Sequence, residues 1–338
     1  MKSRLVFLVL VTGLAWGVPE WAAHAETAGA EDIIDPERVV GSFACAQCHK
    51  AVTTHWQASH HANALNTLVQ KPEAATMAGK LDIRNADLAS RCTGCHATIA
   101  MDRRKRVAVG GVSCESCHGA GFAWNKPHAE FSGKTRETES AEERTRRWRR
   151  AEREGMLRPV RVYEWAKRCY ACHVPTDEEL VDRGGHKPGD ESLELLAWSL
   201  GEVRHAIAET PGAENRLPDR ERQRLIFLVG VAVNLETALR AVAESTTKGP
   251  YAVAMAKRAR AAQKTMRQIA TLLALPEITQ ILAASEAVGL RINHRVALLQ
   301  AAEAVAVATR AMVEKYDGSV LAALDGLLPD ETRFKGKP

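Results

Sequence analysis

The stretch CAQCHKAVTTHWQASHHANAL, residues 45–65, holds two cysteines and four histidines. It begins with the pattern Cys-x-x-Cys-His, and the chain repeats this pattern three more times. The four copies contain all eight cysteines of the 338-residue protein: Cys45–His49, Cys92–His96, Cys114–His118 and Cys169–His173. The cysteines are therefore expected to perform one chemical task at four places, and the extra histidines after the first copy need their own explanation.

Cys-x-x-Cys-His is the attachment sequence of a c-type haem. The two thiols add to the vinyl groups of the porphyrin, and the histidine that follows is the proximal ligand of the iron. We therefore predict four covalently bound haem c groups. They are attached through Cys45, Cys48, Cys92, Cys95, Cys114, Cys117, Cys169 and Cys172, with His49, His96, His118 and His173 as proximal iron ligands.

Paired cysteines have other uses, which fit this sequence less well. Four cysteines can bind a structural zinc ion, but zinc gives no reason for a histidine directly after the second cysteine in every copy. A thioredoxin-like redox site needs one such pair beside alternating strands and helices. Disulfides within the pairs would close small rings and stabilise little.

The N-terminus has the three parts of a secretory signal. Lys2 and Arg4 precede the apolar run 5–11, and Ala23-His24-Ala25 has the Ala-x-Ala form of a cleavage site. This pattern predicts a signal peptide over residues 1–25 and a periplasmic location, with an uncleaved anchor as the alternative. We predict no transmembrane segment after signal removal, because charged residues enclose the most apolar later run, 225–233.

The composition changes near residue 190. Aliphatic residues are sparse between the motifs, so the porphyrins themselves are expected to form the core there. Farther on, apolar residues recur at three- and four-residue spacing over 191–208, 219–246, 250–274, 276–315 and 318–328. The predicted fold is all-α, with strands confined to short ribbons near the haems. A multihaem cytochrome c domain over 26–190 precedes an antiparallel bundle of three or four long helices over 191–338.

The charge gives little information about partners. The formal net charge is +5, and the propionates of four haems would offset it. The basic composition is therefore no argument for nucleic acid, and we predict none as a partner. Residues 137–153 mix glutamates and arginines and predict a solvated helix with ion pairs at helical spacing. A docking surface for a redox partner is the alternative interpretation of this segment.

Each iron also needs a second axial ligand or has an open face. Apart from the proximal histidines and His24 of the signal, the chain offers His55, His60, His61, His128, His186, His205 and His294. We predict His61, His128 and His186 as distal ligands, because each follows a haem motif within a short stretch. These three serve only three irons, so His205 is the fourth candidate.

Geometry limits the role of His61. If residues 49–61 are helical, a rise of 1.5 Å per residue separates His49 from His61 by about 18 Å. The two axial nitrogens of one iron are only about 4 Å apart. His61 is therefore expected to bind a different haem from His49. The partners of His128 and His186 stay open, because both follow glycine-containing loops.

The second haem, on Cys92 and Cys95, has no obvious distal partner nearby. Met101 is a remote alternative for it, and a methionine ligand would raise the reduction potential. His55 is a weaker option for an iron ligand, and His294 is interpreted as a surface residue of the bundle.

The run Trp56–Ala64 resembles the Trp-x-x-Ser-x-His-Ala signature that follows the first haem in the cytochrome c554 family. These are tetrahaem cytochromes that accept electrons from hydroxylamine oxidoreductase in ammonia oxidisers. Gly111–Gly119 is similar to the third-haem motif of that family, with His128 as the usual downstream histidine, and Gly185-His186 also fits after the fourth motif.

The resemblance extends over about residues 40–205 and excludes the helical tail after residue 210. It implies that His61, and not its neighbour His60, is an iron ligand. It also implies that one haem is five-coordinate and that the electron donor is an enzyme like hydroxylamine oxidoreductase.

Taken together, these features predict an exported tetrahaem cytochrome c that transfers electrons between redox protein partners, mostly through bis-histidine haems. Such ligation favours low potentials and therefore a quinone-linked acceptor. One alternative is an enzyme of nitrogen-oxide or hydroxylamine chemistry at a five-coordinate haem, although only Tyr170 lies close to a motif as a cross-linking residue. Another is a haem-based sensor or a subunit of a larger redox complex. An oligomer is compatible with each.

Overall fold

The computed structural model describes residues 34–84, 89–205 and 215–337. The predicted signal peptide, 1–25, lies outside the described residues. The described chain is mostly helical, which confirms the all-α prediction. In chain order the helices and strands are α1 (Ser42–Ala46), α2 (Lys50–Gln57), α3 (Ala64–Gln70), α4 (Pro72–Lys80), α5 (Ser90–His96), β1 (Thr98–Asp102), β2 (Lys105–Gly110), α6 (Cys114–His118), α7 (Ala141–Arg153), α8 (Val162–His173), α9 (Glu178–Asp182), α10 (Leu195–Ser199), α11 (Arg220–Glu244), α12 (Pro250–Leu272), α13 (Pro276–Glu286) and α14 (Arg295–Lys315).

The motif histidines lie at the ends of helices. Helices α5, α6 and α8 end at His96, His118 and His173, respectively. In the first motif the helix ends earlier, at Ala46, and His49 is the N-cap of α2. The cysteines of each motif are thus held near helical backbone, while the histidine stands where the chain changes direction.

The two strands form an antiparallel hairpin between the second and third motifs. Arg103 and Arg104 form its two-residue turn, and both have positive φ angles, as a type I′ turn requires. The hairpin returns the chain so that the Thr98 hydroxyl donates to the carbonyl of Gly111 at 2.8 Å and accepts from the amide of Ser113 at 3.1 Å. In the part of the chain that the structure describes, strands occur only here, beside the haem motifs as predicted.

Helix α11 is the centre of the C-terminal bundle. It packs against α8, α10, α12 and α14, and side chains around its whole circumference are buried. An all-round apolar helix is expected at such a position. Helices α12 and α14 add buried residues such as Met255, Met266 and Met312 to the same core.

Among the residues that the structure describes, two helices, α11 and α14, are long and apolar enough to cross a membrane by length and composition. The expectation that no segment after the signal is long and apolar enough is therefore wrong, while the absence of a membrane span stays a prediction. In the most apolar window of α11, 89% of the residues are buried inside the molecule, and in that of α14, 44% are. The burial of α11 is that of a core helix, since a membrane span would present its apolar side chains to lipid.

Two predicted helical segments differ from the structure. The segment 276–315 is divided into α13 and α14 by the turn 287–294, which allows α14 to pack back against α13. Of the segment 191–208 the structure describes residues 191–205, and the one helix there is the short α10. Helix α10 ends before Gly201, because the C-terminal backbone lies there: a Cβ atom on Gly201 would be 1.9 Å from the carbonyl oxygen of Lys335.

The apolar core crosses the predicted domain boundary at residue 190. Val162, Tyr163, Ala166 and Tyr170 of α8, the helix that carries the fourth motif, belong to the same core as α11. The buried carboxylate of Glu236 also accepts hydrogen bonds from Tyr163 Oη at 2.8 Å and Lys167 Nζ at 2.9 Å. The division into a haem domain and a bundle stays a prediction, and the two regions share packing at α8.

Candidate haem-binding site

Every motif histidine faces one histidine from elsewhere in the chain. The distal candidates predicted from the sequence are the four partners. The ring centroids are 6.2 Å apart for His49 and His128, 5.9 Å for His173 and His61, 6.3 Å for His96 and His186, and 6.2 Å for His118 and His205. The second motif, for which the sequence suggested no partner, thus lies beside His186.

These separations fit the requirements of a haem iron. With iron–nitrogen bonds near 2 Å and about one more ångström from each nitrogen to its ring centre, two axial imidazoles have centroids about 6 Å apart. The observed range, 5.9–6.3 Å, agrees with this distance at all four places. The residues present therefore fit four haems, each held by two cysteines and two histidines.

Hydrogen bonds hold several of these rings in the orientation that ligation needs. The Nδ1 atoms of His118, His128, His186 and His205 lie 2.7–3.2 Å from the backbone carbonyl oxygens of Leu157, Trp124, Lys187 and Val203, respectively. A carbonyl partner fixes the proton on Nδ1 and leaves the lone pair of Nε2 for a metal. This arrangement is typical of histidines that bind iron or zinc.

Burial keeps the motif histidines neutral. Loss of solvent lowers the pKa of His49, His61, His96 and His118, and lowers the pKa of His173 to about 4. These imidazoles are therefore unprotonated at pH 7, and only the unprotonated ring has a lone pair to donate to a metal.

The four motifs form a series in space that differs from their order in the chain. The thiol of Cys45 is hydrogen-bonded to that of Cys114, which joins the first motif to the third. Cys95 and Cys172 likewise join the second motif to the fourth. Helices α6 and α8, which carry the third and fourth motifs, contact each other, so these two motifs are neighbours. In space, the haem motifs therefore follow one another in the order first, third, fourth and second.

Aromatic side chains surround two of the histidine pairs. Trp124 and Trp148 lie 5.4 Å and 6.4 Å from the ring of His128, and Trp198 lies 5.1 Å from that of His173. None of these three tryptophans was a predicted site residue. The one available signal was the four-residue spacing from Trp124 to His128, which is one helical turn.

Helix α7 is only partly solvated, contrary to the prediction. Ser140 caps it, with its hydroxyl accepting from the amide of Glu143. Arg147 is almost fully buried, pairs through two 2.7 Å hydrogen bonds with Glu139 and donates to the carbonyl of His128. The predicted pairs at helical spacing do not describe this helix, because Arg147 reaches Glu139, which lies before the N-cap.

The remaining histidines have other partners. His55 Nε2 lies 2.7 Å from the carbonyl oxygen of Glu202, and His60 Nδ1 lies 2.6 Å from the Glu202 carboxylate. The side chain of His60 is 95% exposed, which agrees with the choice of His61 over its neighbour. His294 is the N-cap of α14. Met101, the remote alternative for the second haem, lies in β1, and the residue that faces His96 of that motif is His186.

Comparison with known proteins agrees with this geometry. Residues 44–119 match the family model described as cytochrome c554 and c-prime. A similar protein is cytochrome c-554 of Nitrosomonas europaea, which is 29% identical over 145 residues, 40% of this chain. The alignment spans 57% of the length of that relative. No solved structure matches.

The family model includes the first three haem motifs, and a family of this kind implies covalently bound haem c. Through these residues, the chain is similar to the cytochrome c554 and c-prime family of c-type cytochromes.

Proposed function

We propose that the protein is an exported tetrahaem cytochrome c that transfers electrons between redox partners through four bis-histidine haems. The main support for this proposal is that each motif histidine lies beside one distal histidine. When bound, haem c supplies a one-electron couple between ferric and ferrous iron. The eight cysteines anchor the four groups, and His61, His128, His186 and His205 complete the axial ligation.

The distal histidines favour a carrier over an enzyme. A residue that donates to the sixth position of an iron excludes nitric oxide, hydroxylamine or water from it. The resemblance to the family implied one open haem, and the sequence suggested no nearby distal partner for the second haem. His186, at 6.3 Å from His96, supplies a residue for that position. Tyr170 packs into the apolar core and does not favour the enzyme either.

The first and second motifs are the ends of the spatial series, so we propose that redox partners dock near them. The resemblance implies a donor similar to hydroxylamine oxidoreductase, and the low potentials of bis-histidine haems favour a quinone-linked or terminal acceptor. Periplasmic export, cleavage after residue 25 and the absence of a membrane span in the mature chain are parts of the same proposal. The burial of α11 supports the last of these.

Low-temperature electron paramagnetic resonance of the oxidised holoprotein tests the proposal. We expect four low-spin ferric signals by integration and no high-spin signal, because strong axial ligands on both sides favour low spin. Nitric oxide should leave the absorption spectrum of the reduced protein unchanged. One high-spin iron that binds nitric oxide would contradict four bis-histidine haems and would favour the enzyme.

Helix α7 supports a more specific proposal for one docking surface. Its exposed Arg146, Arg149 and Arg153 share one side of the helix, while Trp148 contacts His128 of the first haem pair. We propose that an acidic redox protein docks on these arginines. Replacing Arg149 and Arg153 by Glu should slow electron exchange with such a partner about tenfold at low ionic strength and weaken its dependence on salt.

Stopped-flow kinetics at several salt concentrations would measure this effect. The matched control reverses Lys257 and Lys264, which are exposed on α12 in the bundle. Equal slowing in both variants would indicate a general effect of net charge and would contradict a specific surface on α7.

A further inference from the structure

Glu115 is a buried acidic residue inside the third haem motif. It lies between Cys114 and Ser116 on α6, and its relative exposure is 0%. Its carboxylate accepts three backbone hydrogen bonds, from Val40 at 2.9 Å, Gly41 at 2.8 Å and Gly121 at 2.6 Å. The proposed electron transfer gives this residue no role.

These contacts fit the ionised form of the side chain. All three partners are donors, and both carboxylate oxygens accept, so none of the contacts calls for a proton on Glu115. Hydrogen bonds from backbone N–H groups stabilise a buried carboxylate without neutralising its charge. The site is therefore a fixed negative charge in a region of low dielectric constant.

The carboxylate also joins two segments that flank haem motifs. Val40 and Gly41 precede the first motif, and Gly121 follows the third. The amide of Phe122 donates to the carbonyl of Arg38 at 2.9 Å and extends the contact between these segments. The two segments and the carboxylate are closely packed, because a Cβ atom on Gly121 would lie 3.0 Å from the Glu115 carboxylate and 2.8 Å from the Val40 side chain. Glu115 is thus held between the first and third motifs.

The charge acts on these two motifs in particular. As a free thiol, Cys45 has a raised pKa, first because of its hydrogen bond with Cys114, then because of burial and the charges of Cys114 and Glu115. Glu115 also acts to raise the pKa of Cys114, against the larger lowering effect of the hydrogen bond from Cys45. Glu115 is itself part of the third motif, and Val40 and Gly41, which donate to its carboxylate, directly precede the helix that begins the first motif.

We propose that Glu115 lowers the reduction potentials of the haems on the first and third motifs relative to the other two. Reduction adds one electron to an iron and breaks no bond, so the iron site loses one unit of positive charge. A nearby carboxylate stabilises the more positive, oxidised form, and net charge is one of the factors that set such potentials. At equilibrium, electrons from a redox partner therefore occupy the second and fourth haems, which have the higher potentials. This inference depends on the proposed tetrahaem carrier.

Replacing Glu115 by Gln tests the inference, because glutamine has nearly the same shape and no charge. In a spectroscopic redox titration of the holoprotein, we expect two of the four steps to move to higher potential. A change of about tenfold in each reduction equilibrium corresponds to 59 mV for one electron. Haem content and the low-spin resonance signals should stay as in the parent protein.

Two further variants separate charge from structure. Glu115→Asp keeps the charge with a shorter side chain, so it should leave the potentials in place while the segment 38–43 becomes more accessible to proteases. Glu236→Gln removes another buried carboxylate, which is paired with Lys167 and Arg240 in the bundle. It should lower the melting temperature and leave the potentials unchanged.

Unchanged potentials in Glu115→Gln, or equal shifts in the Gln and Asp variants, would overturn the inference. So would equal shifts in Glu236→Gln. If the Gln variant does not mature, Val40→Lys places an ammonium group beside the carboxylate and should raise the same two potentials; no rise would overturn the inference as well. The spin count of the parent protein is a separate measurement, so failure of the proposed function would be recognised independently.

Discussion

A His186→Ala variant should keep all four covalently bound haems and convert one iron from low spin to high spin. His186 faces His96 at 6.3 Å, and its Nδ1 atom lies 2.7 Å from the carbonyl oxygen of Lys187. Alanine offers no ligand, so one face of the second haem would open. We expect that haem to bind nitric oxide or carbon monoxide and to have a higher reduction potential.

Resonance spectra and intact mass together would measure this result. The matched control is His60→Ala, since His60 is a histidine with a 95% exposed side chain that contacts Glu202 instead of a motif histidine. It should leave every low-spin signal unchanged. A low-spin second haem in His186→Ala would mean that another residue, such as Met101, binds the iron.

Replacing Cys92 and Cys95 together by serine should remove one haem and destabilise the fold. Serine hydroxyls do not add to the vinyl groups, so the intact mass should fall by one haem. His96 and His186 would then face each other without the group that joins them. A loss of about 3 kcal/mol would lower the melting temperature by roughly 6–12 °C.

The control for this variant is Thr93→Ser, which changes the same motif and keeps the hydroxyl that donates to the carbonyl of Ala89 at 3.1 Å. It should retain four haems. Full haem content in the double serine variant would contradict attachment at this motif, and binding of zinc by the parent protein would favour the metal-site alternative.

The attachment residues could be predicted from sequence because thioether chemistry is local. Two cysteines and a histidine within five residues define the site without knowledge of the fold. The pairing of histidines depends on the path of the chain. For His61 the helical rise was enough to exclude His49, and the structure places its ring beside His173. For His186 and His205, no spacing rule could select His96 and His118.

The errors in the predicted fold have a similar origin. The apolar pattern over 276–315 continues across the turn 287–294, because residues of both helices pack on one core. The charged residues of α7 predicted side chains exposed to solvent. Arg147 is instead buried against Glu139 and the backbone of His128. Composition reports that a side chain is charged, and only the fold determines where its partner lies.

The shared packing of α8 has a consequence for biogenesis. Tyr170 lies between the two cysteines of the fourth motif and is 2% exposed in the core that α11 completes. Once the C-terminal helices have docked, this backbone is locked. Catalysed haem attachment at Cys169 and Cys172 is therefore expected to precede docking, so the folding of the bundle also sets the time limit for maturation.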